Sequence, residues 1–210
     1  MQRFEFRGMH PSLPARVRVR LDVESPWLTG RFTGEIVARP GPELRAQFFP
    51  DLGGKAIDLL ATRERVVGWF PHARSGIDVR LAEGPRPHPL LFMGLQLLEE
   101  FAPLDRDRLT GWIEDRSRPR MRWDAVAPGA RVEAVGRRIP LSIPILEVVE
   151  RRFFWRGGFS WTSRREAGAT LVEAPGMRMR VEPLGFEHPK EVPDSAFELV
   201  LPPEATAPGR

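Results

Sequence analysis

Between Pro87 and Arg116 the chain leaves an alternation of period two for a period near 3.6, and this break restricts its possible folds most. The run is His88-Pro89-Leu90-Leu91-Phe92-Met93-Gly94-Leu95-Gln96-Leu97-Leu98-Glu99-Glu100-Phe101. Proline suits a first helical position, and the apolar residues that follow recur at helical spacing. Leu90, Met93, Leu97 and Phe101 form one stripe, with Leu91, Leu95 and Leu98 beside it. A helix apolar on two stripes is largely buried, which leaves Gln96, Glu99 and Glu100 to face water. After Ala102-Pro103 a second, amphipathic helix is expected, with Asp105 or Asp107 as N-cap and Leu109, Trp112 and Ile113 on one side.

Almost everything outside this insert reads as strand. Arg16 to Glu24 alternates without a fault, Val17, Val19, Leu21 and Val23 against five charged residues. Antiparallel sheets with one wet face produce that pattern. Phe32, Gly34, Ile36 and Ala38 continue it, as do Leu44, Ala46 and Phe48 after the Pro40-Gly41-Pro42 turn. Pro50-Asp51-Leu52-Gly53-Gly54 marks a reversal before the strands Ala56 to Ala61, Val66 to Phe70 and Ile77 to Leu81. Beyond the insert, strands are expected over Arg120 to Trp123, Ala130 to Val135, Leu141 to Trp155 (interrupted at Pro144), Thr170 to Glu173 and Met177 to Glu182. Gly157-Gly158 makes a tight turn between aromatic strands, Pro175-Gly176 another, and Phe197 to Leu201 a closing strand. The expected fold class is mainly β (α+β): a strongly curved antiparallel half-barrel sheet covered or plugged by a short helical pair. One domain spans 1–201 with the helical insert at 87–116, and 202–210 is a flexible tail.

Composition narrows the function. The net charge is only +4 although the pI is 10.7, because Lys55 and Lys190 are the only lysines and arginine supplies the remaining positive charge. Positive and negative side chains alternate instead of clustering, so no nucleic-acid partner is expected. No apolar run approaches the roughly 20 residues that span a bilayer. The start Met1-Gln2-Arg3-Phe4-Glu5 shows no signal peptide, which reads as cytoplasmic unless an export segment has been removed. Without cysteine there are no disulfides, thiolate metal sites or cysteine nucleophiles.

Catalytic patterns fail one by one. His10, His72, His88 and His188 each adjoin a proline, and none has the spacing of a helical metal site, so they read as loop residues without a role. No Gly-x-Ser-x-Gly elbow or Gly-x-Gly-x-x-Gly loop occurs. Gly53-Gly54-Lys55 hints at a phosphate loop, but Phe49 stands where its first glycine belongs and Ala56 where a hydroxyl is needed. Asp105-Arg106-Asp107-Arg108 is a capped helix start. No enzyme activity, metal or cofactor is expected.

Large adaptable side chains on the inner faces carry more information. Trp27, Trp69, Trp112, Trp123, Trp155 and Trp161, with Met93, Met177 and Met179, can line a hydrophobic cavity together with Leu91, Leu95 and Leu98 of the helix. The same residues also suit an ordinary packed core. A curved sheet around a helix can keep its interior open or fill it, and both readings stand.

The order of these elements resembles the LolA/LolB family, half-barrel carriers of bacterial lipoproteins. Phe48-Phe49-Pro50-Asp51-Leu52-Gly53 with the alternating Lys55 to Leu60 is similar to the strand and Pro-Leu-Gly reversal of LolB, the outer-membrane acceptor. Pro103-Leu104 and Leu109-Thr110-Gly111-Trp112-Ile113 resemble its tryptophan-bearing helix. Val192-Pro193-Asp194-Ser195-Ala196-Phe197-Glu198-Leu199 looks more like LolA relatives. The resemblance implies a non-catalytic carrier or acceptor of lipidated protein or lipid at the periplasmic side of the outer membrane. Its partners would be acyl chains, a periplasmic carrier protein and the membrane surface, with Leu52 touching the membrane. LolB is anchored by a lipidated cysteine, which this chain lacks. The alternative is a structural or interaction protein of the same fold with a filled core.

Overall fold

The computed structural model describes residues 5–7, 13–26, 28–83, 88–101, 109–113, 119–125, 127–139, 145–155, 158–203 and 205. In chain order the strands are β1 (Glu5–Arg7), β2 (Ala15–Glu24), β3 (Thr29–Arg39), β4 (Glu43–Phe49), β5 (Ile57–Thr62), β6 (Arg65–Phe70) and β7 (Ser75–Arg80). The helix α1 (Pro89–Phe101) follows, then β8 (Leu109–Ile113), β9 (Arg120–Asp124), β10 (Arg131–Ile139), β11 (Ile145–Phe154), β12 (Ser160–Glu166), β13 (Ala169–Ala174) and β14 (Met177–Glu187).

Among the described residues the strands form one sheet in the order β7-β6-β5-β4-β3-β2-β14-β13-β12-β11-β10-β9-β8. Two antiparallel meanders meet where β2 pairs with β14, Val23 opposite Met179 and Leu21 opposite Val181. The sheet curves into an open half-barrel with α1 in its concavity. On β2 the alternation holds as expected: Val17, Val19, Leu21 and Val23 are buried, while Arg16 and Arg18 are exposed. Each such buried side chain contributes about 1.5–3 kcal/mol.

Close approach explains two glycines. A Cβ at Gly34 would stand 2.2 Å from the Gln47 carbonyl oxygen, so β3 can lie this tightly against β4 only with glycine there. A Cβ at Gly94 would stand 2.8 Å from Val66 Cγ1. Glycine costs a helix about 1 kcal/mol relative to alanine, and here it lets α1 settle onto β6.

Four expectations need correction. The second helix is not found at Leu109 to Ile113, which is a strand paired with β9, Trp112 opposite Met121. Tertiary pairing overrides the helical reading of five residues whose β-branched and aromatic members also suit a sheet. The proposed caps Asp105 and Asp107, and Pro103-Leu104, lie outside the described residues, as do Trp27, His10, Gly157 and nearly all of the tail. Second, Phe197 to Leu201 is not a closing strand. A 3-10 turn over Asp194–Phe197 leads into extended chain that packs on the outer face of the sheet. The Arg39 guanidinium sits 4.2 Å from the centre of the buried Phe197 ring and pairs with Asp194 at 2.5 Å. On the outer face of β3 and β6 Val37 and Val67 are buried, and so on β4 is Arg45, which pairs with Asp58. Third, His88 is not an idle loop residue. It is buried, and its Nδ1 accepts the Leu90 N–H at 3.1 Å, capping α1 one residue before Pro89. Fourth, Gln96, Glu99 and Glu100 do not face water, being 0%, 6% and 2% exposed.

Candidate ligand-binding interior

Helix α1 divides its contacts between the two halves of the sheet. One side meets β4 to β7: Leu90 lies against Gly68, Gly94 against Val66 and Ala61, and Leu98 and Phe101 near Ala38 and Leu44. The other side carries Phe92, Gln96, Glu99 and Glu100, at the i, i+4, i+7 and i+8 positions that share a helical face. It reaches across the concavity to β9, β11, β12 and β13 through hydrogen bonds.

Those bonds form a connected row. Trp123 Nε1 donates to Glu99 Oε1 at 2.9 Å, and Trp161 Nε1 donates to Gln96 Oε1 at 3.1 Å. Arg151 Nη1 donates to Glu100 Oε2 at 2.9 Å, and Thr170 Oγ1 to Glu100 Oε1 at 2.9 Å. Buried polar groups left without partners would each cost about 1–3 kcal/mol, so this mutual satisfaction is what allows three polar residues on a buried helix face. Trp161 also stacks on Phe153, with ring centres 4.7 Å apart, and meets Phe92 at 5.6 Å.

The residues nominated from sequence divide as follows. Leu91, Met93, Leu95, Leu98, Trp123, Trp155, Trp161, Met177 and Met179 are all buried and belong to one apolar cluster. Trp155 Nε1 donates to the Pro128 carbonyl at 3.2 Å. Trp69 is not brought to them: Val66, Gly68 and Phe70 take the inner positions of β6, and Trp69 is half-buried on the opposite face beside Gly76. Trp112 lies on β8, where only the backbone is described. Leu52 is 102% exposed, at the tip of the β4–β5 turn. There the Gly53 N–H donates to the Pro50 carbonyl at 3.1 Å, and Gly53 and Gly54 take φ of 85° and 78°. These are left-handed conformations open to glycine at little cost.

The polar partners were missed: Gln96, Glu99, Glu100, Arg151, Thr170 and Arg165. A signal for them exists in β11 and β12. Counting by twos from Phe153 and Trp161 puts Arg151, Ser163 and Arg165 on the inner face, where the other strands place Val, Leu or Ala. Burial pulls the Arg165 guanidinium below the usual arginine range, opposed by the nearby Glu100 carboxylate. Elsewhere, an open cleft of about 590 Å³ lies between the β2–β3 and β13–β14 turns. It is lined by Glu24, Glu173, Met177 and Arg178 and has no connection with α1.

No family model matches the chain, and no curated protein matches it. Solved structures do. A LolA superfamily protein from Nitrosomonas europaea superposes with a TM-score of 0.58 over 90% of this chain and 92% of that one, at 11% identity. A domain assigned to outer membrane lipoprotein sorting from Vibrio parahaemolyticus gives 0.54 over 87% and 88%, at 7% identity. Both likenesses run nearly end to end, through the two meanders and the helix between them. The chain therefore has the LolA/LolB-type half-barrel fold.

Proposed function

We propose that the protein is a non-catalytic carrier or acceptor that holds the acyl chain of a lipidated protein or lipid inside the half-barrel, in the bacterial cell envelope. The observation that carries this reading is a concave sheet closed by one helix, a fold shared with a domain assigned to outer membrane lipoprotein sorting. Acyl methylenes transferred from water to such an interior contribute about 0.8 kcal/mol each. To admit a chain, the Gln96–Glu99–Glu100 face of α1 separates from β9 to β13, exposing Met93, Leu95, Trp123 and Trp161 as its lining. Leu52, projecting from the β4–β5 turn, then touches the membrane, and a periplasmic carrier protein is the partner for handover.

Titration with a fluorescent acyl lipopeptide tests this reading. Binding should raise the melting temperature and shift tryptophan emission, and Trp161→Phe and Trp155→Phe should each remove part of the shift. A titration with neither effect overturns the carrier role. It favours a second reading, an interaction protein whose half-barrel is filled by its own side chains. The burial of the nine clustered lining residues and the satisfied polar row support that second reading.

A further inference from the structure

The sheet has a gap over Glu100. Strands β11 and β12 pair from Phe154 opposite Ser160 as far as Glu150 opposite Arg164, and then stop. Beyond that point β11 continues to Ile145 with β10 along one side. On the side vacated by β12 it takes up β1 in parallel, Glu5 opposite Ile145 and Arg7 opposite Glu147. The strands therefore diverge at Val149 and Arg165. A small opening lies at this divergence, walled by Glu100, Val149, Arg151, Ser163, Arg165 and Thr170. Its inner volume of about 10 Å³ is room for about one water-sized oxygen.

Among the described residues, the buried charges at the opening do not balance. Two guanidiniums, Arg151 and Arg165, face one carboxylate, Glu100. Glu100 already accepts from Arg151, Thr170 and, at 3.5 Å, Gln96. Arg165 Nη2 stands 3.8 Å from Glu100 Oε1, an ion pair too long for a hydrogen bond. That nitrogen is buried and donates to nothing among the described residues. Of the other carboxylates, Glu147 is held by Arg137 at 2.5 Å, and Glu150, which also lines the opening, is exposed to solvent. Arg164 pairs with Glu166 at 3.0 Å. A buried guanidinium N–H beside an opening of one-oxygen size suits an oxygen ligand, and two guanidiniums there favour an anionic one.

We propose that Arg165 and Arg151 form a subsite for an anionic oxygen group, the carboxylate or phosphate at the head of an acyl ligand, entered through the gap between β11 and β12. The acyl part rests on the carrier reading above, whereas the anion part rests on this geometry alone. The placement suits an amphiphile. One same-face step along β11, about 7 Å, leads from Arg151 to Phe153, and two such steps along β12 lead from Arg165 past Ser163 to Trp161. Those two rings are stacked, so an acyl chain leading inward from a head group at the arginines meets an aromatic wall. A negative charge in the gap also supplies the counter-charge that Glu100 shares among three donors.

The test compares oleate, its uncharged methyl ester and inorganic phosphate, with binding followed by calorimetry and thermal shift. Each is applied to the parent, Arg165→Gln and Arg165→Lys. Oleate should bind the parent about tenfold or more tighter than methyl oleate. Arg165→Gln should abolish that preference while leaving methyl oleate binding unchanged, and Arg165→Lys should restore part of it. Unliganded Arg165→Gln loses only the long ion pair to Glu100 and should melt within a few degrees of the parent. Equal binding of acid and ester by the parent overturns the subsite and leaves the carrier role intact. So does a lower melting temperature of Arg165→Gln with its preference for oleate unchanged, which makes the arginine structural. If neither lipid binds but phosphate stabilises the parent and not Arg165→Gln, the anion site stands with free phosphate as its ligand, and the carrier role falls. No response to any of the three overturns both.

Discussion

Replacing Glu100 or Arg151 singly should damage the protein far more than replacing both. Glu100 is 2% exposed and Arg151 is 8% exposed, with 2.9 Å between their charged atoms. Removing one partner strands the other charge in the interior, which costs about 3–5 kcal/mol. Arg151→Met leaves the Glu100 carboxylate with the hydrogen bonds from Thr170 and Gln96 and the longer ion pair to Arg165. Glu100→Met leaves Arg151 unpaired, frees the buried Thr170 hydroxyl and removes the facing charge from Arg165. For a chain of this length each 1 kcal/mol lowers the melting temperature by about 2–4 °C, so each single variant should melt about 6–20 °C below the parent. Glu100→Met/Arg151→Met puts two unbranched apolar side chains where the ions were and should recover most of the loss, because buried ion pairs and apolar replacements of similar volume are often equally stable. Thr170 and Arg165 still lack their carboxylate, which keeps the double variant about 1–2 kcal/mol short of the parent. Thermal denaturation of the four proteins forms a double-mutant cycle with a large favourable coupling. If each single variant melts within about 2 °C of the parent, the polar face of α1 lies in water. If the two losses simply add, the side chains do not meet.

His88 sets a second expectation. Burial lowers its pKa to about 4, against about 6.5 in the unfolded chain. As pH falls the unfolded chain therefore takes up this proton first, and stability is lost from about pH 6.5 down to about 4, amounting to about 3 kcal/mol at 1.36 kcal/mol per pH unit. His88→Asn keeps a cap acceptor without the titration, so its melting temperature should fall less over that range, and superimposable pH profiles would refute the burial. Leu95→Ala, in the tightly packed α1, should cost about 2–5 kcal/mol in denaturant unfolding, and Met93→Glu more. Parental unfolding of both variants would remove α1 from the core. Leu52→Glu should leave stability within about 0.5 kcal/mol while lipid transfer to liposomes falls. Full transfer by a stable variant would remove Leu52 from the delivery step.

The two meanders were legible because their signal is local. A strand half in water must alternate, and Arg16 to Glu24 cannot alternate so faithfully and be anything else. The turns at Pro40-Gly41-Pro42 and Pro50 to Gly54 were legible because glycine and proline act on their own backbone. His88-Pro89 announced the start of α1 for the same reason, though not that the imidazole would cap it. What lay beyond the sequence was which faces meet. Period counting identified Gln96, Glu99 and Glu100 as the polar side of α1 and assigned that side to water. It is buried because β9 to β13 fold back over it, bringing Trp123, Arg151, Trp161 and Thr170 from 24, 51, 65 and 70 residues away to satisfy it. Leu109 to Ile113 was assigned to a helix because its partner, β9, is a tertiary fact. The split between β11 and β12 likewise depends on β1 arriving from the other end of the chain. Periodicity records whether a side chain prefers water or a neighbour. Only the closed sheet supplies neighbours able to take a carboxylate or an amide out of water, and so only the tertiary structure decides which polar residues are inside.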